Sequence, residues 1–262
     1  MIPIRDENPT ERKPLVTLLL IGACLAVYFL VQPVGQGALV QRSDEGQGED
    51  IEFNVRNAAI PCEVTEGRPL TIEELQDTFT AGDDTACRDD PASPEFAPDK
   101  NVYLALVYSM FLHGGLLHIA GNMLFLWVFG NNIEDRMGKV PYVLFYLFGG
   151  LAAAVAHILV QPDSTVPVVG ASGAIAAVMG AYLVLFPDAP IRTVIIFYFI
   201  LFRDISAKWL LGFWFVSQFF INPNSGVAWV AHVGGFVFGA LVALLFRRQL
   251  LPPRPPRPAW EY

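Results

Sequence analysis

Four residues carry the chemistry this chain could do. Ser172 stands between Gly170 and Gly173, His232 lies one turn ahead of Gly235 and two ahead of Gly239, and His118 and Asn122 are four residues apart. A serine hydroxyl becomes a nucleophile when a base removes its proton, and imidazole is the side chain suited to that near neutral pH. His118 and Asn122, at i and i+4, project from one helix face. Their ring N–H and amide NH2 are donors of the kind a developing oxyanion requires. Packing is the plainer alternative: a glycine-flanked serine lets helices approach, and a polar pair within a membrane helix can serve as an interhelical hydrogen bond.

The elements that must position these groups are apolar and long. Ser172 lies in Val168–Phe186, a run without charge that Pro187 and Asp188 stop. As a helix it would cover about 28 Å, close to the ~30 Å of a bilayer's hydrocarbon core. Five more apolar runs surround it in sequence: Leu15–Val31, Val102–Phe129, Val140–Val160, about Ser206–Ile221, and Val227–Phe246. With 53% hydrophobic and 16% charged residues over 262 positions and a mean hydropathy of +0.44, the chain is more apolar than a soluble domain of this size could hide. The expected fold is all-α, a polytopic membrane bundle of six transmembrane helices. Leu15–Val31 lacks a small-residue cleavage site and reads as a retained first helix, not a cleaved signal.

Charge divides the chain. Residues 32–101 hold five Lys/Arg against sixteen Asp/Glu, a net of −11 in a chain of −8, so the remainder carries +3. Twelve of the seventeen Lys/Arg fall in the N-terminal arm, the Asn131–Lys139 turn, the Pro187–Lys208 connection and the tail after Phe246. By the positive-inside rule these are cytoplasmic, and Gln161–Pro167 and Asn222–Gly226, without Lys or Arg, face the other side. The organisation expected is a cytoplasmic arm (1–14), a first transmembrane helix (15–31), an acidic extracytoplasmic loop (32–101), a core of five transmembrane helices (102–246) and a Pro-rich cytoplasmic tail (247–262), with both termini cytoplasmic. Ser172 is then about five residues, and His232 about six, from the outer ends of two helices that run in the same direction. At ~1.5 Å per residue both lie roughly 7–9 Å deep, level with each other. A transporter's polar site would sit nearer the bilayer centre, and proton coupling would need an intramembrane carboxylate, which these runs lack.

The rest of the sequence is read more plainly. The arm is a membrane-entry anchor ending in Arg12-Lys13-Pro14. In the acidic loop one helix-like patch stands out, where Thr71 and Glu74 form a capping box ahead of Leu75 and Phe79. Cys62 and Cys87 are disulfide candidates in a compartment that permits the bond. Asp83-Asp84 and Asp89-Asp90 could hold a cation, but without a ligand spacing such as the EF-hand's they read as solvated loop charge. Glu134 and Arg136 organise a cytoplasmic turn, and His157 stands alone near the outer end of the third run. Residues 191–204 lie along the cytoplasmic interface. The fifth run, with Trp209, Phe213, Trp214 and Phe215, is bulky, lipid-facing and able to swing.

Taken in order, HxxxN (His118, Asn122), GxSG (Gly170, Ser172, Gly173) and AHxxGxxxG (Ala231, His232, Gly235, Gly239) resemble the rhomboid family of intramembrane serine proteases, from about Tyr108 to Phe246. The resemblance implies a rhomboid-like bundle with a catalytic dyad of Ser172 as nucleophile and His232 as general base and acid. It implies an oxyanion site of His118, Asn122 and the Ser172 N–H, and a mobile fifth helix with an outer cap that admits substrate from lipid. His113 matches a histidine near the mouth of such sites and, with the four glycines, is a supporting residue. Single-span or polytopic membrane proteins in the lipid bilayer are the implied substrates, with no cofactor, metal or nucleic acid, in a bacterial plasma (inner) membrane. The alternative is a pseudoprotease that binds transmembrane helices without cutting them. Two departures stand out: Leu104 and Ala105 replace a Trp-Arg pair common in the family, and Ala176 replaces an aromatic that in some members stacks on the histidine.

Overall fold

The computed structural model describes residues 1–33, 44–88, 93–196, 199–222 and 226–251. The Asp89-Asp90 pair and the Pro-rich tail beyond Leu251 lie outside the described residues. At the centre is one helix rich in small residues, Ser172–Leu185, with eleven of its fourteen residues buried. A helix apolar on every side is one that other elements surround.

In chain order the elements are β1 (Ile2–Asp6), α1 (Leu15–Leu30), α2 (Asp44–Asn57), α3 (Pro61–Glu66), α4 (Ile72–Gln76), α5 (Ala105–Tyr108), α6 (Leu116–Met137), α7 (Lys139–Val160), α8 (Ser172–Leu185), β2 (Pro190–Ile196), β3 (Ile200–Ser206), α9 (Ala207–Gln218) and α10 (Trp229–Leu245). By length and composition α6 and α7 can cross a membrane, while α1, α8 and α10 are apolar but shorter. Two expected runs are interrupted. Val168–Phe186 is helical only from Ser172, because Val168 pairs with Ala59 in an isolated bridge and Gly170 takes φ +131°. Val102–Phe129 breaks at Leu112–Gly115, so α6 begins at Leu116.

Glycines let α8 and α10 touch by backbone. A Cβ on Gly235 would lie 2.2 Å from the Gly173 carbonyl oxygen, one on Gly239 1.8 Å from that of Ala177, and one on Gly180 2.0 Å from that of Phe236. α7 joins the pair, with a Gly234 Cβ falling 2.3 Å from Ala156 Cβ. In a membrane, where lipid is as apolar as leucine, such close approach supplies the dispersion contact that holds helices together.

The all-α expectation is corrected at one end. β1, β2 and β3 form an antiparallel sheet in that order, with Ile2 opposite Val194 and Arg192 opposite Asp204. Residues 191–196 are largely β-branched, which favours a strand over an interfacial helix. The arm is therefore a strand and not a simple anchor. Glu134 also differs from expectation: its carboxylate accepts from the Val16 and Thr17 N–H groups at 2.9 and 2.8 Å, so it caps the start of α1. Arg136 lies over the Phe186 ring.

The acidic segment is more ordered than its composition suggests. Instead of one helix-like patch it folds α2, α3 and α4 around Val55, Ile60, Cys62 and Leu70. Cys62 and Cys87 are bonded, with Cα atoms 5.7 Å apart, and the Thr71–Glu74 capping box is formed. Glu74 also takes two hydrogen bonds from Arg68, at 2.8 and 2.9 Å. Lys100 and Glu63 form an almost fully buried ion pair. This cap rests on the loop that leads into Ser172: the Val168 N–H donates to Ala59 O at 2.8 Å, Cys62 N–H to Ser164 O at 3.0 Å, and Thr78 and Thr165 join their hydroxyls at 2.6 Å.

Candidate active site

Ser172 is the first residue of α8, so its own N–H precedes the intrahelical ladder and has no helical acceptor. Its hydroxyl lies 2.8 Å from His232 Nε2, across the glycine-lined contact of α8 and α10. The two side chains, 60 residues apart in sequence, are thus brought to hydrogen-bond distance by backbones that touch at Gly173 and Gly235.

Gly170 shapes the approach. Its φ of +131° is one that residues with a Cβ rarely adopt, and a Cβ there would meet His118 Nε2 at 2.9 Å and Ser172 Oγ at 3.5 Å. The Gly170 N–H donates to Ser109 O at 2.9 Å, and the Ser109 hydroxyl accepts from Ala59 N–H at 2.6 Å. Ser109 therefore ties the cap to the loop ahead of Ser172, a role that no motif in the sequence marks.

His118 Nδ1 accepts from the Gly114 N–H at 3.3 Å. Its proton is consequently on Nε2, the nitrogen beside Gly170. One turn on, Asn122 is buried and its Nδ2 has no partner among the described residues. An unfilled amide donor at this depth is costly unless something arrives to accept from it. His113 is fully buried beside His118, with ring centroids 5.3 Å apart. Its backbone is bracketed by Gln32, just beyond α1, which accepts from His113 N–H at 2.9 Å and donates to His113 O at 3.1 Å.

These groups line one cavity of about 1140 Å³, bounded by α6, α7, α8, α10 and the cap. Ser172, His232, His118 and Asn122 are on its wall, and so is His157, which was expected to stand alone. His157 is buried and its Nδ1 has no partner among the described residues. His113 is behind this wall, against His118. Gly173 lines the cavity, whereas Gly235 and Gly239 act beneath it through helix contact.

The fifth run contributes what its composition does not announce. Gln218 on α9 is buried, and its Oε1 is 2.8 Å from His232 Nδ1. Trp214, one turn before it, lies against the His232 ring with centroids 5.8 Å apart. An aromatic neighbour thus reaches the histidine from α9, while Ala176 in α8 is buried in the core. At the Leu104-Ala105 positions the chain is held instead by Asn101, whose Oδ1 accepts from the Tyr103 and Leu104 N–H groups at 3.2 and 3.0 Å.

A family model described as Rhomboid domain matches residues 100–249. The chain is 29% identical over 169 residues to RHOMBOID-like protein 6, mitochondrial, of Arabidopsis thaliana, covering 60% of this chain and 46% of that protein. It is 30% identical over 95 residues to Presenilin-associated rhomboid-like protein A, mitochondrial, of Danio rerio, covering 36% and 25%. It is 37% identical over 78 residues to Rhomboid protease GluP of Bacillus subtilis (strain 168), covering 30% and 15%. The chain thus spans less than half the length of each of these relatives. Two of the three names carry a mitochondrial location, which conflicts with the expected bacterial plasma membrane and leaves integral membrane location as the supported statement.

Proposed function

This chain belongs to the rhomboid family, and from that premise we propose that it is an intramembrane serine protease that hydrolyses peptide bonds in or near the transmembrane helices of membrane-protein substrates. The observation that carries the reading is the 2.8 Å contact between Ser172 Oγ and His232 Nε2 at the wall of a cavity. A Ser–His hydrogen bond can also join two helices, but here it faces a cavity that His118 and the unpartnered Asn122 amide also line, which favours a nucleophile and its base over packing alone.

In the proposed reaction His232 Nε2 takes the Ser172 proton as Oγ attacks the substrate carbonyl carbon. The carbonyl oxygen gains the negative charge and is met by Asn122 Nδ2, His118 Nε2–H and the Ser172 N–H. The imidazolium then gives its proton to the leaving amine as the peptide C–N bond breaks, which leaves an acyl-enzyme. Water, deprotonated by His232, attacks the ester, and the serine leaves with the proton. Neither cofactor nor metal enters these steps.

Six transmembrane helices, α1, α6, α7, α8, α9 and α10, belong to the same proposal. The pairing of β1 with β2 gathers the N-terminal arm, with Arg5, Arg12 and Lys13, and the Pro187–Lys208 connection at one end, which supports a common cytoplasmic side. The cap and Ser172 would then face the opposite side, where water reaches the cavity.

The test is purified protein in detergent micelles incubated with a panel of single-span substrates, beside Ser172→Ala and His232→Ala. Each substitution should abolish cleavage, by about 10³-fold or more, while helix content is kept. Substantial cleavage by Ser172→Ala would overturn the assignment.

A further inference from the structure

We propose that Gln218 is a positioning residue that holds His232 in the one tautomer able to accept the serine proton. The Trp214 carbonyl can only accept, and Gln218 Nε2 lies 3.0 Å from it, one helical turn along α9. The amide NH2 therefore faces Trp214 O, and Oε1 faces away. That oxygen is 2.8 Å from His232 Nδ1, and because it too can only accept, Nδ1 carries the proton. In a neutral imidazole with its proton on Nδ1, Nε2 is bare. Nε2 is the atom 2.8 Å from Ser172 Oγ.

The order of dependence is backbone carbonyl, amide, imidazole, serine. Burial strengthens it, since Gln218 is 4% exposed and water cannot compete for the acceptor or rotate the amide. Trp214 works on the same ring from the same helix, limiting its tilt by contact. A neutral amide differs from a carboxylate in this position. It fixes ring orientation and tautomer without placing a second charge in a region where charge is expensive. Helix α9, whose composition reads as a bulky lipid-facing element, is thereby part of the support of His232. The consequence for rate rests on the protease reading given above; the tautomer itself does not.

The experiment therefore has two readouts on the full chain in micelles. One is the 15N–1H ring correlation of histidines, which separates the Nδ1–H from the Nε2–H tautomer. The chain has four histidines, and the His232 signals are identified by their loss in His232→Ala. The other is the rate at which a fluorophosphonate probe modifies Ser172. The parent should show Nδ1–H at His232. Gln218→Leu, apolar and similar in bulk, should populate the Nε2–H form and slow labelling about 10- to 100-fold, the lower part of what a placed general base contributes. Gln218→Glu, which restores an acceptor oxygen, should keep Nδ1–H and recover labelling to within about 10-fold of the parent. Parent-like labelling and an unchanged ring tautomer in Gln218→Leu would overturn the proposal, as would an Nε2–H tautomer in the parent. If Gln218→Leu does not fold, the parent and Gln218→Glu spectra still decide. A parent that neither labels nor cleaves would overturn the protease reading, while the ring spectra would continue to judge Gln218.

Discussion

Replacing Gly239 by alanine tests how the glycine seam places the dyad. A Cβ at that position would lie 1.8 Å from Ala177 O. A close carbon–oxygen contact needs about 3.3 Å, so α10 must move from α8 by roughly 1.5 Å or the helices must rotate. His232 lies two turns from the clash on the same rigid helix. Half of that movement along the line from His232 to Ser172 would take their 2.8 Å contact to about 3.5 Å, where a hydrogen bond is effectively lost. Misplacement of that order costs about 10²-fold in rate, and overpacking a helix contact costs about 1–3 kcal/mol. Gly239→Ala should therefore label with fluorophosphonate about 10²-fold more slowly than the parent and melt at lower temperature. Gly22→Ala, where the added Cβ meets nothing within 4 Å beyond its own stretch of helix, should do neither. Parent-like labelling and melting of Gly239→Ala would refute the claim that backbone contact between α8 and α10 sets the Ser172–His232 distance.

Asn122→Ala should lower cleavage by about 10²–10³-fold, equivalent to about 3–4 kcal/mol, because one oxyanion donor is removed, while fluorophosphonate still modifies Ser172; cleavage and labelling rates measured side by side check this. Alkylation of membrane-extracted protein without reductant should label at most one thiol, the buried Cys24, by intact mass, with Cys62 and Cys87 protected. Three labelled thiols would contradict the bridge. Burial alone would raise the Glu74 carboxyl, but hydrogen bonds from Arg68 and the Thr71 and Arg88 N–H groups pull it down to about 2 from an ordinary 4.5. A depressed folded value means that its stabilisation is complete above about pH 4.5 and is lost as the pH falls toward 2. Hydrogen exchange over residues 61–88 should accordingly rise in that window in the parent, and Glu74→Gln should flatten this dependence.

Much of the site was legible because it depends on spacing along a helix. His118 and Asn122 share a face by arithmetic, the glycines after His232 mark a close contact by their size, and the capping box between Thr71 and Glu74 closes within four residues. These are local rules, and tertiary context did not override them. The apolar runs likewise announce a membrane protein because no soluble core could bury them.

Other features depend on azimuth and on partners far away in the chain, which spacing does not encode. Gln218 meets His232 only because α9 turns that side of itself toward α10; the next position, Phe219, is exposed. His157 joins the cavity wall for the same reason. Residues 2–6 become a strand because residues 190–196 offer an open sheet edge nearly two hundred positions later, and the short apolar stretch could not be told from an interfacial helix by its pattern. The acidic segment reads as loose by composition, yet it gains its own small core once the Cys62–Cys87 bond and the buried Lys100–Glu63 pair bring distant parts together. Which chemistry the chain could attempt was thus written in residue types and intervals. Which atoms support that chemistry was decided only when helices, cap and sheet fixed one another's rotation, because a hydrogen bond is a condition on distance and direction, not on sequence position.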